Sequence, residues 1–387
     1  MIQLLAGILA LLPTYLVRFQ ILGIPTTFLE ILTVIFVLVA ASRANQESIK
    51  KIKNLGWLNT AIFIFVLSSI VSTIISPDKT RALGQLKALV LEPILFFYAI
   101  IISVKSKEQF YTALRWLFVS ASLISLFGLL QSVSSINLPL RFWGAGTEIR
   151  RITSIFEYPN ALALYLGPLI GFFATLALSK YQLFKNRWVI WAGLVLMIGA
   201  LLLTFSRGAW LAVTLGLLLM SISHFGAKKT ILPAMFIILI ALALPTVRQR
   251  VLLGVSDASS SAHLDLIKIG VNKIIGNPVL GNGLSGFRTT QTQAQYSGEI
   301  LNYPHNIFLN FWLETGLLGL ISFLAIFGLA WQKIKNPALP AGRHPGALAL
   351  ASGVFLLIVL LHGLVDVPYF KNDLSVLFWF VMALIYI

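Results

Sequence analysis

Apolar residues along this chain come in long blocks, interrupted by short polar stretches. A helix needs about 17 to 25 predominantly apolar residues to cross a hydrocarbon layer roughly 30 Å thick. Twelve runs approach that length, at about 1–17, 26–42, 57–75, 83–103, 112–131, 161–179, 188–205, 209–224, 231–246, 305–331, 347–366 and 372–387. The pattern predicts an all-α, polytopic membrane fold of about 12 transmembrane helices, with residues 1–135 forming an N-terminal set of spans and residues 136–387 a second membrane domain.

Two of the connecting segments, about 132–160 and 247–304, are far longer than a turn requires, and connections of that length usually have a function. With the spans counted as above, both fall on the same side of the membrane. Inside the second, SSSAHLDLIKIGVNKIIGNP predicts a short amphipathic helix lying on the bundle, with Leu264, Ile267, Val271 and Ile274 on one face. Ser261 is its expected N-cap, and Gly276 followed by Pro278 its stop.

Composition agrees with the span pattern. Only 11% of the residues are charged and 58% are hydrophobic, with a mean hydropathy of +0.89, whereas a water-soluble surface needs roughly 25% charged residues. The net charge of +16 would raise nucleic acid as a partner in a soluble domain. Here the basic residues are scattered between apolar runs, so membrane loops and anionic lipid are the better reading. With the N-terminus placed in the cytoplasm, the inner loops hold 15 Lys and Arg in about 50 residues, while the other 14 are spread over more than twice that length. The positive-inside rule then predicts a multi-pass protein of the cytoplasmic (inner) membrane, with both ends inside and the loop 247–304 outside. The opening segment lacks a charged n-region and a cleavage site, and is expected to be a retained span. Zero cysteines exclude disulfides and thiol chemistry.

Three constellations carry possible chemistry. GNGLSG at 281–286 satisfies G-x-G-x-x-G, but that fingerprint works only between a strand and a helix, so a turn is expected, with backbone approach to a ligand as the lesser reading. In TFSRGAWL a tight turn between two spans holds Arg207 at the membrane boundary. A snorkelling arginine and a bidentate phosphate grip are equally compatible with that position. The third segment is NYPHNIFLNFWLETGLLGL, residues 302–320, in which Pro304 suits a first helical turn and puts His305 at the outer mouth of a span. A helix N-terminus favours a bound anion, and a neutral imidazole beside it makes a general base. Asn306, Asn310 and Glu314 continue from His305 as a polar stripe. For Asn310 and Glu314 a hydrogen-bonded role inside the bundle is favoured.

PHNIFLNFWLETGLLG resembles the signature of the O-antigen ligase and O-antigen polymerase superfamily, in which a His-Asn pair opens a span that runs on to Glu and two glycines. RRITSIFEYPNALALYLG at 150–167, LTFSRGAWLA at 203–212 and LHGLVDVPYFKNDLSVLFW at 361–379 fit the same family in the same order. The resemblance covers roughly residues 150–380 and makes 136–387 an O-antigen ligase-like domain that includes the external loop. It implies an all-helical membrane glycosyltransferase that uses an undecaprenyl-diphosphate-linked glycan as donor and transfers it to an acceptor hydroxyl at the outer face of the cytoplasmic membrane. By position, His305 matches the family's proposed base, Arg207 its diphosphate-binding arginine and Asp366 its acidic residue near the last outer turn. Arg151, Asn306, Glu314 and Asp366 count as supporting residues. Ligases usually carry a second arginine at the start of the surface helix, but this chain has SSAHLDLI, so His263, Arg250 or Lys268 is the expected substitute at the diphosphate.

A polyprenyl diphosphate already supplies a good leaving group, so neutralising charge and removing one proton suffice. No cofactor is expected, and because no carboxylate pair has metal spacing, neither is a metal. The expected partners are the lipid-linked donor, a lipid, glycan or protein acceptor, and membrane lipid. A polymerase or protein O-glycosyltransferase of the same superfamily fits the residues as well. From another class, a solute transporter is the alternative, since Glu30, Glu92 and Glu314 lie within apolar runs, with Lys87 one turn from Glu92 as its expected partner. Carrier sites cluster near the midplane, whereas the motif residues here lie at the outer face.

Overall fold

The computed structural model describes residues 1–21, 24–104, 109–134, 136, 150–179, 182–227, 248, 258–287, 302–335 and 346–387. The chain begins with α1 (Ile2–Ala10), a 3₁₀ turn (Leu12–Leu16) and an antiparallel ribbon of β1 (Arg18–Ile21) and β2 (Ile24–Thr27). Then come α2 (Phe28–Ala41), α3 (Gln46–Lys53), α4 (Trp57–Ile75), α5 (Lys79–Gln85), a π-helical stretch (Leu86–Leu91), α6 (Glu92–Ser103) and α7 (Phe110–Ser134). The second half holds α8 (Pro159–Leu178), α9 (Arg187–Leu203), α10 (Arg207–Phe225), α11 (Ala258–Gly276), α12 (Ile307–Lys335), α13 (Ala347–His362) and α14 (Asn372–Tyr386).

Five of the described helices are long and apolar enough to cross a membrane: α4, the continuous α5–π–α6 rod, α7, α8 and α12. α2 and α3 make a sixth if that pair, bent by 115°, is counted as one span, and α9, α10, α13 and α14 are apolar but shorter. Large apolar side chains face outward, among them Phe63 at 65% and Val195 at 69% exposure, as a lipid-covered surface requires. The chain is thus a multi-pass, largely helical membrane protein. Twelve spans are not reached among the described residues, and the expected run 231–246 lies outside them.

The first expected span, 1–17, is broken. Pro13 lacks the amide that would continue the helix, α1 stops at Ala10, and the chain turns through the 3₁₀ segment into the ribbon. Counting apolar residues misses this break because Leu11, Leu12, Leu16 and Val17 remain apolar on both sides of it. At the end of the ribbon, Thr27 and Glu30 form a reciprocal capping box that starts α2.

α8 is the central rod, with 94% of its apolar window buried against 44% for α4 and α7. α13 lies in the trough between α8 and α10, where Gly171 and Gly216 leave room for Ile358; a Cβ on either glycine would strike that side chain. α12 packs along α4 through Phe65, Phe311 and Phe323. Tyr369 and Phe370, on the loop between α13 and α14, extend this cluster, ring to ring with Phe311 at 5.3 and 4.7 Å.

α12 is not continuous. Gly316 has φ 71° and ψ 178°, a backbone state open to glycine, and the helix breaks there. A break inside lipid would leave backbone groups without partners, at several kcal/mol each. Here the segment after α11 supplies them: Asn282 N–H donates to Leu313 O at 2.7 Å, and Leu317 N–H donates to Val279 O at 2.9 Å. GNGLSG does form turns, yet its glycines bring backbone against backbone, since a Cβ on Gly281 would meet the carbonyls of Trp312 and Leu313. The same segment reaches α4, where Leu284 N–H donates to Ser72 O at 3.3 Å and Ser76 Oγ donates to Leu284 O at 2.6 Å.

Candidate functional site

The start of α12 differs from the expected form. Asn306 is the capping residue: its Oδ1 accepts from the amides of Phe308 and Leu309, both at 3.0 Å. Pro304 therefore lies outside the helix, two residues before the cap. Ile307 N–H donates to Gly363 O at 2.7 Å and Asn306 Nδ2 donates to Leu364 O at 3.1 Å, which sews this helix start to the loop that follows α13. Those two bonds decide which residues meet His305.

His305 has φ 50°, an uncommon state for a residue with a side chain. Its Nδ1 lies 3.2 Å from Asp366 Oδ1, and the His263 ring stacks on it with centroids 4.3 Å apart and planes inclined by 19°. Asp366 also accepts from the Val367 amide at 2.9 Å. Burial alone would raise the Asp366 carboxyl; the hydrogen bond and charge of His305, the proximity of His362 and the Val367 amide outweigh it and hold the group at about 2. An ionised Asp366 orients the ring with its proton on Nδ1, leaving Nε2 as the acceptor.

Arg207 is the first residue of α10, and Ser206 is its N-cap. The turn before it is tight, with Phe205 at φ 50°, Ser206 N–H on Thr204 Oγ1 at 3.3 Å and Trp210 Nε1 closing back onto Leu201 O at 3.1 Å. Arg151 braces this turn, donating from Nε to Thr204 O at 2.8 Å and from Nη2 to Asn160 Oδ1 at 2.7 Å. Beside Arg207, Gly208 is pressed so close to Val365 and His362 that a Cβ would stand 2.5 Å from Val365 Cγ2. The Arg207 turn thus abuts the loop that carries Asp366.

The structure joins His305, Asp366, Asn306 and His263, sets the Arg207 turn against the same loop and uses Arg151 to brace that turn. It does not join Lys268, whose exposed ammonium lies 3.6 Å from Asp265 on its own helix. Arg250 lies outside the described residues. Glu314 is buried beside the Gly316 break, with the Ser285 backbone as a partner and Oε2 without one among the described residues; Asn310, one turn before it, is buried with its amide unpaired. Among the described residues, no three His, Asp or Glu side chains are grouped to hold a metal ion.

The surface helix needs two corrections. It begins by Ala258, so Ser261 is inside it and is not its cap. Its docked residues are Leu266 and Ile274, with Gly270 against Pro304 and Leu313, while Leu264 and Val271 face outward. This helix has apolar residues on two faces, and spacing alone cannot say which one docks. It does end at Gly276, as expected.

Lys87, the expected partner of Glu92, is bonded to another of the carboxylates that favoured a transporter. Lys87 pairs with Glu30 at 2.7 Å, not with Glu92, and also donates to Pro25 O at 2.8 Å. Asn372 Nδ2 donates to the other Glu30 oxygen at 2.6 Å. Glu30 therefore has a structural role, tying α2 to the π stretch and to the start of α14.

Three residues that the spacing arguments pass over also lie here. His362 is buried against Gly208, and its Nδ1 has no partner among the described residues. Tyr303, two residues before His305, donates from its hydroxyl to Phe370 O at 3.1 Å. Lys371 follows Phe370; burial lowers its ammonium, an effect opposed by the charges of Asp373 and Glu157. His362 and Lys371 stand within the quoted segment LHGLVDVPYFKN, and their placement beside the motif residues was the available signal.

Two comparisons bear on this arrangement. The family model described as O-Antigen ligase matches residues 192–324, a stretch that contains Arg207, His263, His305 and Glu314. An O-antigen ligase of Pseudomonas aeruginosa is 26% identical over 297 residues, covering 76% of this chain and 68% of that protein. Both support the O-antigen ligase superfamily and a role in glycan transfer at a membrane.

Proposed function

We propose that this protein transfers a glycan from an undecaprenyl-diphosphate-linked donor to an acceptor hydroxyl, at the outer face of the cytoplasmic membrane, in the manner of an O-antigen ligase. The observation that carries the reading is the Asp366–His305–His263 series, a carboxylate-oriented imidazole with a second ring stacked on it, beside the Arg207 turn.

In this reading His305 Nε2 takes the acceptor hydroxyl proton as the acceptor oxygen bonds to the anomeric carbon of the donor sugar. The bond from that carbon to the diphosphate oxygen breaks, and undecaprenyl diphosphate leaves with the electron pair. Arg207 grips the diphosphate through its planar fork, and His263 takes the place of the family's second arginine. Asp366 stabilises the imidazolium that forms, while Asn306 and Arg151 hold the elements that carry His305 and Arg207. Arg250, outside the described residues, is the further candidate for diphosphate contact. No step calls for a metal or a cofactor.

Reconstitution in proteoliposomes with a lipid-linked oligosaccharide and separate lipid, glycan and protein acceptors tests the proposal. A single addition to the acceptor supports ligation, and a ladder of products supports polymerisation. Wild-type protein that binds no polyprenyl diphosphate and moves no glycan to any acceptor overturns the assignment.

A further inference from the structure

The loop from Gly363 to Lys371 holds a second cation close to Asp366. Its backbone is folded tightly, with Tyr369 N–H on Val367 O and Lys371 N–H on Tyr369 O, both at 2.8 Å, so Lys371 cannot stray far from Asp366. Tyr303, on the strand leading to His305, straps the same turn through its bond to Phe370 O.

The surroundings of Lys371 are unusual for a lysine with a purely structural role. Its Nζ lies 5.1 Å from the ring centre of Tyr15, 5.5 Å from that of Phe156 and 5.1 Å from that of Tyr158. Three π faces from two distant parts of the chain thus enclose one ammonium. No carboxylate lies within 4 Å of it among the described residues: Glu157 is taken by Arg18 at 3.3 Å, and Asp366 by His305. Aromatic faces attract a cation without cancelling its charge, whereas a carboxylate would cancel it. The result is an ammonium fixed on the Asp366 loop by aromatic faces, with Asp373, Glu157 and Asp366 acting on it only from beyond 4 Å.

We propose that Lys371, held by Tyr15, Phe156 and Tyr158, is a substrate-binding residue that takes a phosphoryl group of one of the two substrates. This rests on the glycan-transfer reading, in which the donor carries a diphosphate and an acceptor can carry phosphate as well. With His263 standing where the family has its second arginine, Lys371 adds a cation to that of Arg207. The competing role is that of counter-ion to Asp373, two residues on, which is fully buried at the start of α14 beside the amides of Asp373 and Leu374.

Variants Lys371→Met, Lys371→Arg, Asp373→Asn and the double Lys371→Met/Asp373→Asn, in nanodiscs, separate these roles. Methionine keeps a similar length against the rings and removes the charge, and the double variant also removes the buried acid, so it is expected to fold where Lys371→Met does not. Binding of undecaprenyl diphosphate is measured first, then the KM for a phosphorylated acceptor and for its dephosphorylated form. The expected result is a loss of about 10- to 100-fold in one of these, the size of a charge-assisted hydrogen bond, in the double variant as in the single, with most of it restored by arginine. Weaker diphosphate binding assigns Lys371 to the donor. Normal diphosphate binding with a raised KM for the phosphorylated acceptor alone assigns it to the acceptor. If the double variant matches wild type in both, Lys371 serves only Asp373 and the proposal is overturned. A wild type that binds no undecaprenyl diphosphate brings down the glycan-transfer reading itself, and this inference with it.

Discussion

His263 stacks on His305, bringing a residue of the loop helix α11 into contact with the residue that precedes the α12 cap. Sequence comparison alone makes His263 a substitution for an arginine. In the structure it is a wall of the His305 site. A stacked aromatic pair contributes about 0.5 to 1.5 kcal/mol, so His263→Ala is expected to lower the transfer rate roughly 3- to 10-fold. His263→Arg, which restores the family residue and can stack through its planar group, is expected to retain or exceed wild-type donor affinity. Rates and donor affinities measured side by side decide; a variant alanine that is indistinguishable from wild type in both would remove His263 from the site.

Loss of the proposed base and loss of the group that orients it are expected to cost similar amounts of activity. His305→Ala is expected to lower the transfer rate about 10²- to 10⁴-fold while donor binding stays intact. Asp366→Asn keeps the shape but offers Nδ1 no anionic partner, so a loss of similar order is expected. A purified His305→Ala protein of normal thermal stability that still turns over near the wild-type rate ends the assignment.

Asp366 also makes stability depend on pH. Its folded value of about 2 lies below the ordinary 3.8, so its ionised form stabilises the fold. That contribution, roughly 2 kcal/mol, is fully present above about pH 4 and is lost as the pH falls through about 2. Thermal melts of wild type and Asp366→Asn in detergent are expected to differ at pH 5 and to converge toward pH 2. A gap that does not change over this range contradicts the Asp366–His305 pairing.

For Arg207, the outcome separates a phosphate grip from a membrane anchor. Lysine preserves the charge and loses the fork, so Arg207→Lys is expected to bind donor about 10-fold more weakly and Arg207→Ala more weakly still. Equal and near-normal activity in both variants, at normal membrane levels, would make Arg207 an interfacial anchor.

Topology is open to a direct check because the chain has no cysteine. A single cysteine replacing Ser259 is expected to react with an impermeant maleimide in cells whose outer barrier has been opened. Labelling only after lysis would reverse the proposed orientation.

How legible all this was depends on the kind of information each feature carries. The membrane class and most helices follow from apolar run length, a local property. The candidate residues Arg207, His305 and Asp366 stand in short motifs, and the structure sets the Arg207 turn and His305 against the loop that carries Asp366. The break at Pro13 is equally local, but run counting does not register a missing amide. The docked face of α11, the pairing of Lys87 with Glu30 and the enclosure of Lys371 are set by residues far away in the chain, Lys371 and Tyr15 being the widest case. Periodicity cannot report such partners. The family resemblance pointed to a missing arginine at the start of α11, but no spacing rule reports what that position meets; in the structure His263 stacks on His305.

The break at Gly316 bears on how this protein can be re-engineered. The long loop 247–304, proposed to be external, is the natural unit to exchange between relatives when a new acceptor is wanted, and on paper it ends where α12 begins. Its later part is already inside the bundle, completing the backbone of α12 at Leu313 and Leu317 and touching α4 at Ser72. A graft whose residues at 279–284 cannot follow this path, such as one without Gly281, strips two peptide groups of their partners in an apolar setting, and the cost appears in α12 and not in the loop. Workable chimeras keep residues 277–287 together with their own α12 and exchange only what precedes them.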